Sequence, residues 1–393
     1  MRVLHIIPGL TNASGPTHAL IQLVESLEAS GIDVSVTYLS NRLKEQIEPT
    51  LNRGNVYPFK TTLLNYWGFS PQLRSFLDKN INSFDLIHIH SLWLYPGLIG
   101  SKMAQRHNVP YLIRPAGSLE PEALKHKSFS KRLYYSQIER AIINNAALIH
   151  AVSPQEQRNI ERLDFQPPCV TVPNGIEPGT FANLPSRVSA RQSLGILPSS
   201  PVLCYVGRIH PIKGLELLIP VMKGLILEFP ELRLLIGGPD THSYAKNLIS
   251  QFESAKLLHA VSFLGELDQQ KKILAYRAAD LAILPSKSEN FAIVVAEALA
   301  SETPVIASNR TPWAILNEAD AGEWIDLIPS VWIETIKRRL RSKEWISDAG
   351  SRGRELVLKE FSWPSIGKRL NQVYHEILES RQCGTKAIQT DSE

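Results

Sequence analysis

Short apolar runs alternate with longer amphipathic stretches along most of the chain. The runs are rich in Val, Ile and Leu, and the stretches between them place apolar residues three or four positions apart, as a helix requires. Continuous apolar strands separated by helices are typical of parallel sheets covered on both faces. The first half of the chain contains the runs VLHIIPGL (3–10), DVSVTYLS (33–40), FDLIHIH (84–90), VPYLIR (109–114) and AALIHAVS (146–153).

A second series of runs follows a stretch rich in Pro, Gly and Ser near residues 178–201. We therefore expect two Rossmann-like, doubly wound domains that face each other across a cleft, joined by a linker around 178–200. Their expected bounds are 1–180 and 195–362, followed by an amphipathic helix over 363–381 that returns to the N-terminal domain and a flexible tail over 382–393. The second series is PVLCYVGR (201–208), LRLLIGG (232–238), AVSFLG (260–265), DLAILPS (280–286) and TPVIASN (303–309).

Composition excludes several classes of protein. The 393 residues include 42 Lys and Arg against 38 Asp and Glu, and a net charge of +4 is too small for a dedicated nucleic-acid binder. The cysteines at 169, 204 and 383 are far apart and lack metal-ligand spacing, which favours a reducing compartment and argues against zinc. No secretion signal or membrane span is recognisable. We expect a cytoplasmic protein whose contact with membranes is at most peripheral.

Ligands of open parallel sheets bind at the carboxyl ends of the strands, so we expect the functional residues in the loops that follow strands. After the first strand, Gly15 precedes Pro16, and proline is favoured at the first helical position. A helix N-terminus with a glycine beside it can bind an anion. An ordinary strand-to-helix turn explains Gly15 equally well.

The first loop of the second domain combines glycine with two cations. In VGRIHPIKG, Gly207, Arg208 and Lys213 stand between a strand and a helix. Arg offers a planar fork that matches phosphate oxygens, and Lys supplies a movable point charge. This loop predicts a diphosphate site, although two solvated charges on a surface loop remain an alternative.

Two carboxylates lie eight residues apart in SENFAIVVAEALA. Glu289 follows a strand, whereas Glu297 is within a helix so apolar that most of its circumference must be buried. Eight helical residues span about 12 Å. Such a pair suits a ligand with hydroxyls at both ends and anionic charge between them, as in a sugar nucleotide. The alternative places Glu297 on a narrow exposed stripe and Glu289 in an ordinary loop.

Together these segments resemble the family-4 retaining glycosyltransferases of GT-B fold, the glycosyl transferases of group 1. The resemblance covers nearly the whole chain and implies a nucleotide-sugar donor bound mainly by the C-terminal domain, with no cofactor and no required metal. It also implies that the acceptor attacks on the face of the sugar from which phosphate departs. The matching motifs are GRIHPIKGLELLI, LRLLIGGP, PNGI, and Glu289 and Glu297 with EALASETPVIAS after them.

The same resemblance implies roles for individual residues. Arg208 and Lys213 would bind the diphosphate, Glu297 the ribose hydroxyls and Glu289 the donor hexose. Backbone amides of Asn290, Phe291 and Ala292 would approach the sugar and phosphate, and residues from Gly265 to Leu267 would border the base.

Two segments depart from the family pattern. Relatives commonly have glycine where this chain has Ala292, so a positive φ there would make the donor site tighter than usual. Relatives also often carry His-Gly where this chain has RPAGSLEP. Candidate replacements are His90, with a buried structural role as the alternative, and Arg114, with a plain salt bridge as the alternative. His88 lies two residues before His90 and shares its face of the strand.

We expect a hexosyltransferase that acts on a saccharide or lipid-linked acceptor in surface polysaccharide or glycolipid assembly. The basic and aromatic stretch 125–135 could contact an anionic membrane, or it could be a solvated helix face. Trp313 could stack on a sugar or pack in the core. The alternatives are a sugar-nucleotide epimerase or hydrolase, or a non-catalytic binding protein of the same fold. A nicotinamide oxidoreductase is disfavoured because no Gly-x-Gly-x-x-Gly turn follows a strand.

Overall fold

The computed structural model describes residues 1–10, 15–40, 55–62, 66–90, 92–121, 124, 134–240 and 243–382. The chain forms two compact units. The first contains residues from Met1 to Gly175 together with the C-terminal segment from Trp363, and the second runs from Ile176 to Ser362. Both units are α/β, each built on one parallel sheet.

The first unit contains a seven-stranded sheet of order β3-β2-β1-β4-β5-β6-β7. Because the order reverses beside β1, helices cover both faces of the sheet, as in other doubly wound folds. The strands are β1 Arg2–Ile6, β2 Asp33–Leu39, β3 Asn55–Phe59, β4 Leu86–Ile89, β5 Tyr111–Ile113, β6 Leu148–Ala151 and β7 Cys169–Thr171. The described helices are α1 Gly15–Ala29, α2 Pro71–Asn80, α3 Tyr95–Arg106, α4 Arg140–Asn144, α5 Pro154–Glu161 and the C-terminal α14 Trp363–Gln382.

The C-terminal helix α14 belongs to the first unit and packs against α1. Its apolar residues, among them Leu370 and Tyr374, share one buried cluster with Leu20 and Val24 of α1. The opposite face of the sheet buries a second cluster against α2 and α3. The expected return of the final helix to the N-terminal domain is therefore confirmed.

The second unit contains a six-stranded parallel sheet of order β10-β9-β8-β11-β12-β13. Its strands are β8 Val202–Val206, β9 Arg233–Gly237, β10 Val261–Gly265, β11 Leu281–Leu284, β12 Val305–Ser308 and β13 Gly322–Ile325. Its described helices are α6 Arg187–Ser193, α7 Leu218–Ile226, α8 Tyr244–Ser254, α9 Gln269–Ala278, α10 Ile293–Ala300, α11 Ile315–Glu318, α12 Pro329–Leu340 and α13 Lys343–Glu360.

The segment expected to be a linker is ordered structure of the second unit. Residues 178–200 contain the 3-10 helix Pro178–Phe181 and helix α6. Arg191 of α6 is buried and contacts Asp280 at 2.9 Å, which attaches the segment to the sheet. The first unit ends at Gly175, where the expectation placed its end at 180. Pro, Gly and Ser in this segment form helix caps and turns. The tail over 383–393 lies outside the described residues.

Among the residues that the structure describes, we find no helix that combines the length and the apolar character needed to cross a bilayer.

Candidate functional site

Glycines join three neighbouring loops at the carboxyl ends of β8, β9 and β10. The N–H of Gly207 donates to the carbonyl of Gly237 at 2.9 Å, and the N–H of Gly238 donates to Gly265 at 2.7 Å. A Cβ added to Gly238 would lie 2.0 Å from the Gly207 carbonyl oxygen, so only glycine fits there. Leu267 packs over Gly237 and places an apolar side chain beside these loops.

Gly214 brings the loop after β8 against the loop after β11. Its φ is +66°, and an added Cβ would lie 2.1 Å from the carbonyl oxygen of Pro285. The N–H of Lys287 donates to the carbonyl of Ile212 at 2.8 Å and fixes the same approach. The two loops are therefore held together by backbone, and Lys213 is held beside the loop that carries Glu289.

Lys213 and Glu289 form an ion pair between these two loops. Their side chains are only 12% and 9% exposed, and Ser286 Oγ donates to Glu289 Oε1 at 2.7 Å. A charged pair at such burial is stable only when both partners keep strong contacts. The structure thus brings together two residues, 76 positions apart, that the sequence assigned separately to phosphate and to sugar.

Arg208 lies at the same edge of the sheet with an exposed side chain. Its carbonyl accepts a hydrogen bond from the Tyr205 hydroxyl at 2.8 Å. Within the described part of the chain, its guanidinium has no hydrogen-bond or ion-pair partner. Burial raises the pKa of Tyr205, Glu289 raises it further and Arg208 lowers it, so both charged groups are close to this phenol.

Glu297 is buried in α10 and pairs with a lysine that sequence reasoning did not identify. Lys272 Nζ of α9 lies 3.0 and 3.3 Å from the two carboxylate oxygens of Glu297. Glu297 is 8% exposed, so the exposed-stripe alternative is wrong. Burial raises the pKa of Tyr276, and the adjacent Glu297 carboxylate adds to this effect.

The turn before α10 adopts a strained backbone. Ala292 has a φ of 62° and a ψ of 65°, a left-handed conformation that glycine adopts more readily. Two residues earlier, the buried Oδ1 of Asn290 accepts no hydrogen bond from the described residues. Phe291 is buried, and its carbonyl accepts from Trp313 Nε1 at 2.6 Å.

Trp313 is a core residue. Its side chain is 1% exposed and packs against the rings of Phe291 and Phe361. This burial excludes stacking of Trp313 on a sugar in the structure as it stands, and the core-packing alternative is correct.

Two predicted segments lie partly or wholly outside the described residues. Gly15 is the first residue of α1, but residues 11–14 before it are not described. The basic stretch 125–135 is described only at Tyr134 and Tyr135, the latter opening a π-helical turn over Tyr135–Glu139.

In the first unit, Arg114 follows β5 and contacts His90. The distance between Arg114 Nη1 and His90 Nδ1 is 3.5 Å, and Nη2 donates to Asn174 Oδ1. Arg114 is 6% exposed, and no carboxylate forms an ion pair with it among the described residues. Burial lowers the pKa of Arg114 to about 10, while the nearby Glu156 acts in the opposite direction. The plain salt bridge considered for Arg114 is therefore absent from the described structure.

His90 is half-buried and belongs to a cluster with the buried His5, His88 and His150. His5 and His88 stand side by side on β1 and β4, and His90 Nε2 lies 2.9 Å from His5 Nδ1. Burial lowers the pKa of all four imidazoles, to about 3 for His5 and His150. The histidines are neutral at physiological pH.

Nitrogen atoms of His5, His88 and His90 lie within 4.8 Å of one another, a spacing that could hold a metal ion. However, the ring nitrogens of these residues already contact one another, Tyr374 and His150. The cationic Arg114 guanidinium adjoins the cluster and would repel a further cation. The contacts fit a hydrogen-bond network better than a metal centre.

The fold is that of the GT-B glycosyltransferases. Sucrose-phosphate synthase from Thermosynechococcus elongatus superposes with a TM-score of 0.75 at 22% identity, covering 97% of this chain and 100% of that structure. The Anabaena protein Alr3699/HepE in complex with UDP and glucose superposes with a TM-score of 0.75 at 19% identity, covering 96% and 100%.

Sequence comparison identifies the family. The model for glycosyl transferases group 1 matches residues 186–344, and the glycosyl transferase 4-like domain model matches residues 14–175. D-inositol 3-phosphate glycosyltransferase of Corynebacterium diphtheriae is 26% identical over 410 residues, which cover 96% of this chain and 93% of that protein. Because the two models together match most of the chain, it belongs to the family-4 glycosyltransferases and is a glycosyltransferase of GT-B type.

Proposed function

We propose that this glycosyltransferase moves a hexose, with retention, from a nucleotide-sugar donor to a saccharide or lipid-linked acceptor. The second unit holds the donor and the first unit holds the acceptor. The product belongs to surface polysaccharide or glycolipid assembly at the cytoplasmic side of the membrane, with stretch 125–135 as a peripheral contact. Nucleic acid is not a partner.

The Lys213–Glu289 ion pair is the observation that carries this proposal. It places a cation and a hydrogen-bond acceptor at the carboxyl edge of a parallel sheet, where such sheets bind ligands. A donor sugar can offer its hydroxyls to Glu289 while its diphosphate attracts Lys213. In the free protein each side chain of the pair is the other's partner. When the donor binds, its hydroxyls and diphosphate replace those contacts.

Departure of the nucleoside diphosphate requires stabilisation of its growing negative charge. Lys213 and Arg208 supply two cations, and the amides at the start of α10 supply oriented dipoles. The exposed Arg208 guanidinium is available to phosphate. We propose that these groups take the place that a metal has in other transferases, so no metal is needed.

Glu297 lies within α10, eight residues after Glu289, and pairs with Lys272 of α9. Ribose hydroxyls can donate to the Glu297 carboxylate, with Lys272 beside it. The orphaned Asn290 Oδ1 supports a ligand at the same turn, because a buried acceptor without a donor is costly. Leu267 lies over Gly237 at the neighbouring strand ends and would border the base.

Thermal unfolding with nucleoside diphosphates tests donor binding. Structures of the Anabaena protein contain UDP, glucose or UDP-glucose, so UDP and UDP-glucose are the first ligands to try, followed by GDP and ADP. A ligand at a hundredfold its Kd raises stability by about 2.7 kcal/mol. Lys213→Ala should abolish the shift, whereas Lys287→Ala, which removes a cation of the neighbouring loop after β11 that pairs with Glu216, should keep it.

Measurements of turnover distinguish glycosyl transfer from hydrolysis or epimerisation of the donor. With a nucleotide sugar alone, consumption should be slow. Release of nucleoside diphosphate should accelerate only with an acceptor, persist in EDTA and give a product of unchanged anomeric configuration. Rapid conversion of the donor without an acceptor would identify a hydrolase or epimerase instead, and absence of binding to every nucleotide tested would refute the proposed donor site.

A further inference from the structure

Arg114 is a buried cation with unused hydrogen-bonding capacity. A guanidinium has five N–H groups, and the described residues accept from only two of those of Arg114, through His90 and Asn174. The buried Nε is one of the three without an acceptor. Leaving charged donors unpaired at this burial is costly, so the site is incomplete without a further acceptor.

The neighbouring histidines form a single directed chain of hydrogen bonds that begins at Arg114. Arginine can only donate and a carbonyl can only accept, so the two ends fix the direction of every bond between them. One assignment satisfies all contacts: each imidazole accepts at Nδ1 and donates from Nε2. The chain runs from Arg114 to His90 (3.5 Å), His5 (2.9 Å), Tyr374 (3.4 Å), His88 (2.7 Å), His150 (3.3 Å) and the Val172 carbonyl (2.7 Å).

This chain leaves the charge of Arg114 without a direct counter-ion. Every imidazole in it is neutral, because its Nδ1 lone pair accepts a hydrogen bond. The nearby carboxylate of Glu156 accepts from the backbone N–H groups of Gly117 at 2.6 Å and Val152 at 2.7 Å, so its oxygens are already engaged. Glu156 therefore moderates the electrostatic potential around Arg114 without pairing with it.

The position of Arg114 is that of a ligand-binding residue. It follows β5 directly, and its partner Asn174 comes shortly after β7, so both stand at the carboxyl edge of the first sheet. The turn after Arg114 contains Ala116 and Gly117 with φ of 49° and 89°, and Glu156 holds it in place.

We propose that Arg114 binds an anionic group, a phosphate or a carboxylate, on the acceptor sugar. The inference rests on the proposed transferase function and specifies its acceptor class. The guanidinium fork matches both anions, and its two terminal nitrogens each retain one N–H for the ligand. His90 and Asn174 are positioning residues that hold the fork in orientation.

Binding of small anions tests this site without knowledge of the acceptor. With UDP at saturation to occupy the donor site, we titrate the protein with inorganic phosphate and, separately, with acetate, and measure heat and the unfolding temperature. The wild type should bind one of the two, and Arg114→Gln should weaken that binding at least tenfold. The anion that binds identifies the acceptor group. Failure of the wild type to bind either anion, or equal binding by Arg114→Gln, overturns the proposal.

Two controls separate this outcome from misfolding and from failure of the proposed function. Tyr374→Phe breaks the hydrogen-bond chain between His5 and His88 but keeps the guanidinium, so anion binding should persist. Loss of binding as large as in Arg114→Gln would show that the network, not the cation, is responsible, and would overturn the proposal. UDP should stabilise all three proteins equally. If UDP fails to bind the wild type, the proposed donor site is wrong. The anion titration still tests whether Arg114 binds an anion.

Matched acceptors extend the test to turnover. Glucose, glucose 6-phosphate and glucuronate differ only in their anionic group, as do myo-inositol and its 1-phosphate. The anionic member of a pair should have the higher kcat/KM, by about a hundredfold, and in Arg114→Gln this ratio between the two members should fall to about one. A preference for the neutral sugars by the wild type would contradict the inference.

Discussion

The two units manage buried polar groups in opposite ways. In the second unit, the carboxylates of Glu289 and Glu297 each face a lysine from another element. In the first unit, four imidazoles are kept neutral, and Arg114 has no carboxylate partner within the described residues. The second unit pairs these carboxylates with lysines, whereas the first keeps its imidazoles neutral and leaves Arg114 without a direct counter-ion among the described residues.

This difference indicates how each unit can respond to a ligand. A lysine–carboxylate pair can exchange its partners for phosphate and hydroxyl groups with little change in net charge. A directed chain of neutral imidazoles fixes side-chain orientation, because reversing one bond disrupts the next. We therefore interpret the second unit as a site whose contacts rearrange on binding and the first as a rigid frame around Arg114.

Acid should have the largest effect on the difference between the units, because the buried histidines among the described residues all lie in the first unit. Their pKa values are lowered in the folded state, so the unfolded chain binds more protons between pH 6.5 and the folded values, about 3 for His5 and His150. Stability is fully present above pH 6.5 and falls as pH decreases, by up to about 1.4 kcal/mol per pH unit for each histidine. Hydrogen exchange at pH 7, 6 and 5 should show the first unit opening before the second.

His150→Gln provides the matched test of this slope. It removes one buried imidazole, whose pKa is lowered by burial and by Arg114 and Arg369, and should make the fall with pH shallower. His375→Gln removes an exposed histidine on the same helix as Tyr374 and should leave the slope unchanged. Equal loss of protection in both units on acidification would contradict the assignment.

Glu289→Gln should reduce transfer by about a hundredfold or more while leaving nucleotide binding nearly intact. The amide keeps the size of the side chain but loses the negative charge that orients Lys213 and strengthens hydrogen bonds from hexose hydroxyls. Misplacement of a reacting group has an effect of this order. Steady-state kinetics and UDP-induced thermal shift measure the two effects.

Glu216→Gln is the control, because it removes a carboxylate that pairs with the neighbouring Lys287. Its kinetics should match those of the wild type. Wild-type activity in Glu289→Gln would refute the role of Glu289, and loss of UDP binding would move that role from the hexose to the nucleotide.

The internal strands could be predicted from the sequence, but three edge strands could not. β3, β7 and β13 lie at edges of their sheets, whereas the predicted runs include every internal strand. An internal strand of a parallel sheet is buried on both faces and is continuously apolar. The edge strands are short or contain polar and proline residues, as in NVYPF and GEWI, so no apolar run marks them.

The residues of the candidate site also differ in whether the sequence alone could identify them. The loop positions of Arg208, Lys213 and Glu289, and the helical position of Glu297, follow from motifs that are local in sequence. Lys272 is 25 residues from Glu297, and nothing in the pattern of α9 distinguishes it from Lys271. The sequence put His88 and His90 on one face, but the addition of His5 and His150 depends on strand order, which periodicity does not give. Glu156 had a local signal in Ser153-x-x-Glu156, a capping-box spacing that marks the start of α5.

Lys272→Met should destabilise the second unit by leaving the buried carboxylate of Glu297 unpaired. The free energy of unfolding should decrease by about 2 kcal/mol, less than for a fully buried pair because Lys272 is 26% exposed. UDP should restore part of the loss, since ribose hydroxyls can donate to Glu297. Urea denaturation with and without UDP measures both effects.

Lys271→Met is the control, because it changes an exposed neighbouring lysine and should alter neither stability nor the effect of UDP. Equal destabilisation by both variants would show that Glu297 does not depend on Lys272.

Ala292→Gly should give the smallest effect and the opposite sign. A left-handed alanine costs roughly 1–2 kcal/mol, and glycine relieves this strain while adding freedom to the unfolded chain, so we expect a net gain of about 0.5 kcal/mol. Ala298→Gly, in the middle of α10, should instead destabilise by about 1 kcal/mol because its backbone is helical. If Ala292→Gly also raises the KM for the donor, the strained alanine orients the amides at the start of α10. Unchanged KM with increased stability would mean that this turn carries strain without a function in donor binding, and destabilisation equal to that of Ala298→Gly would contradict the strain itself.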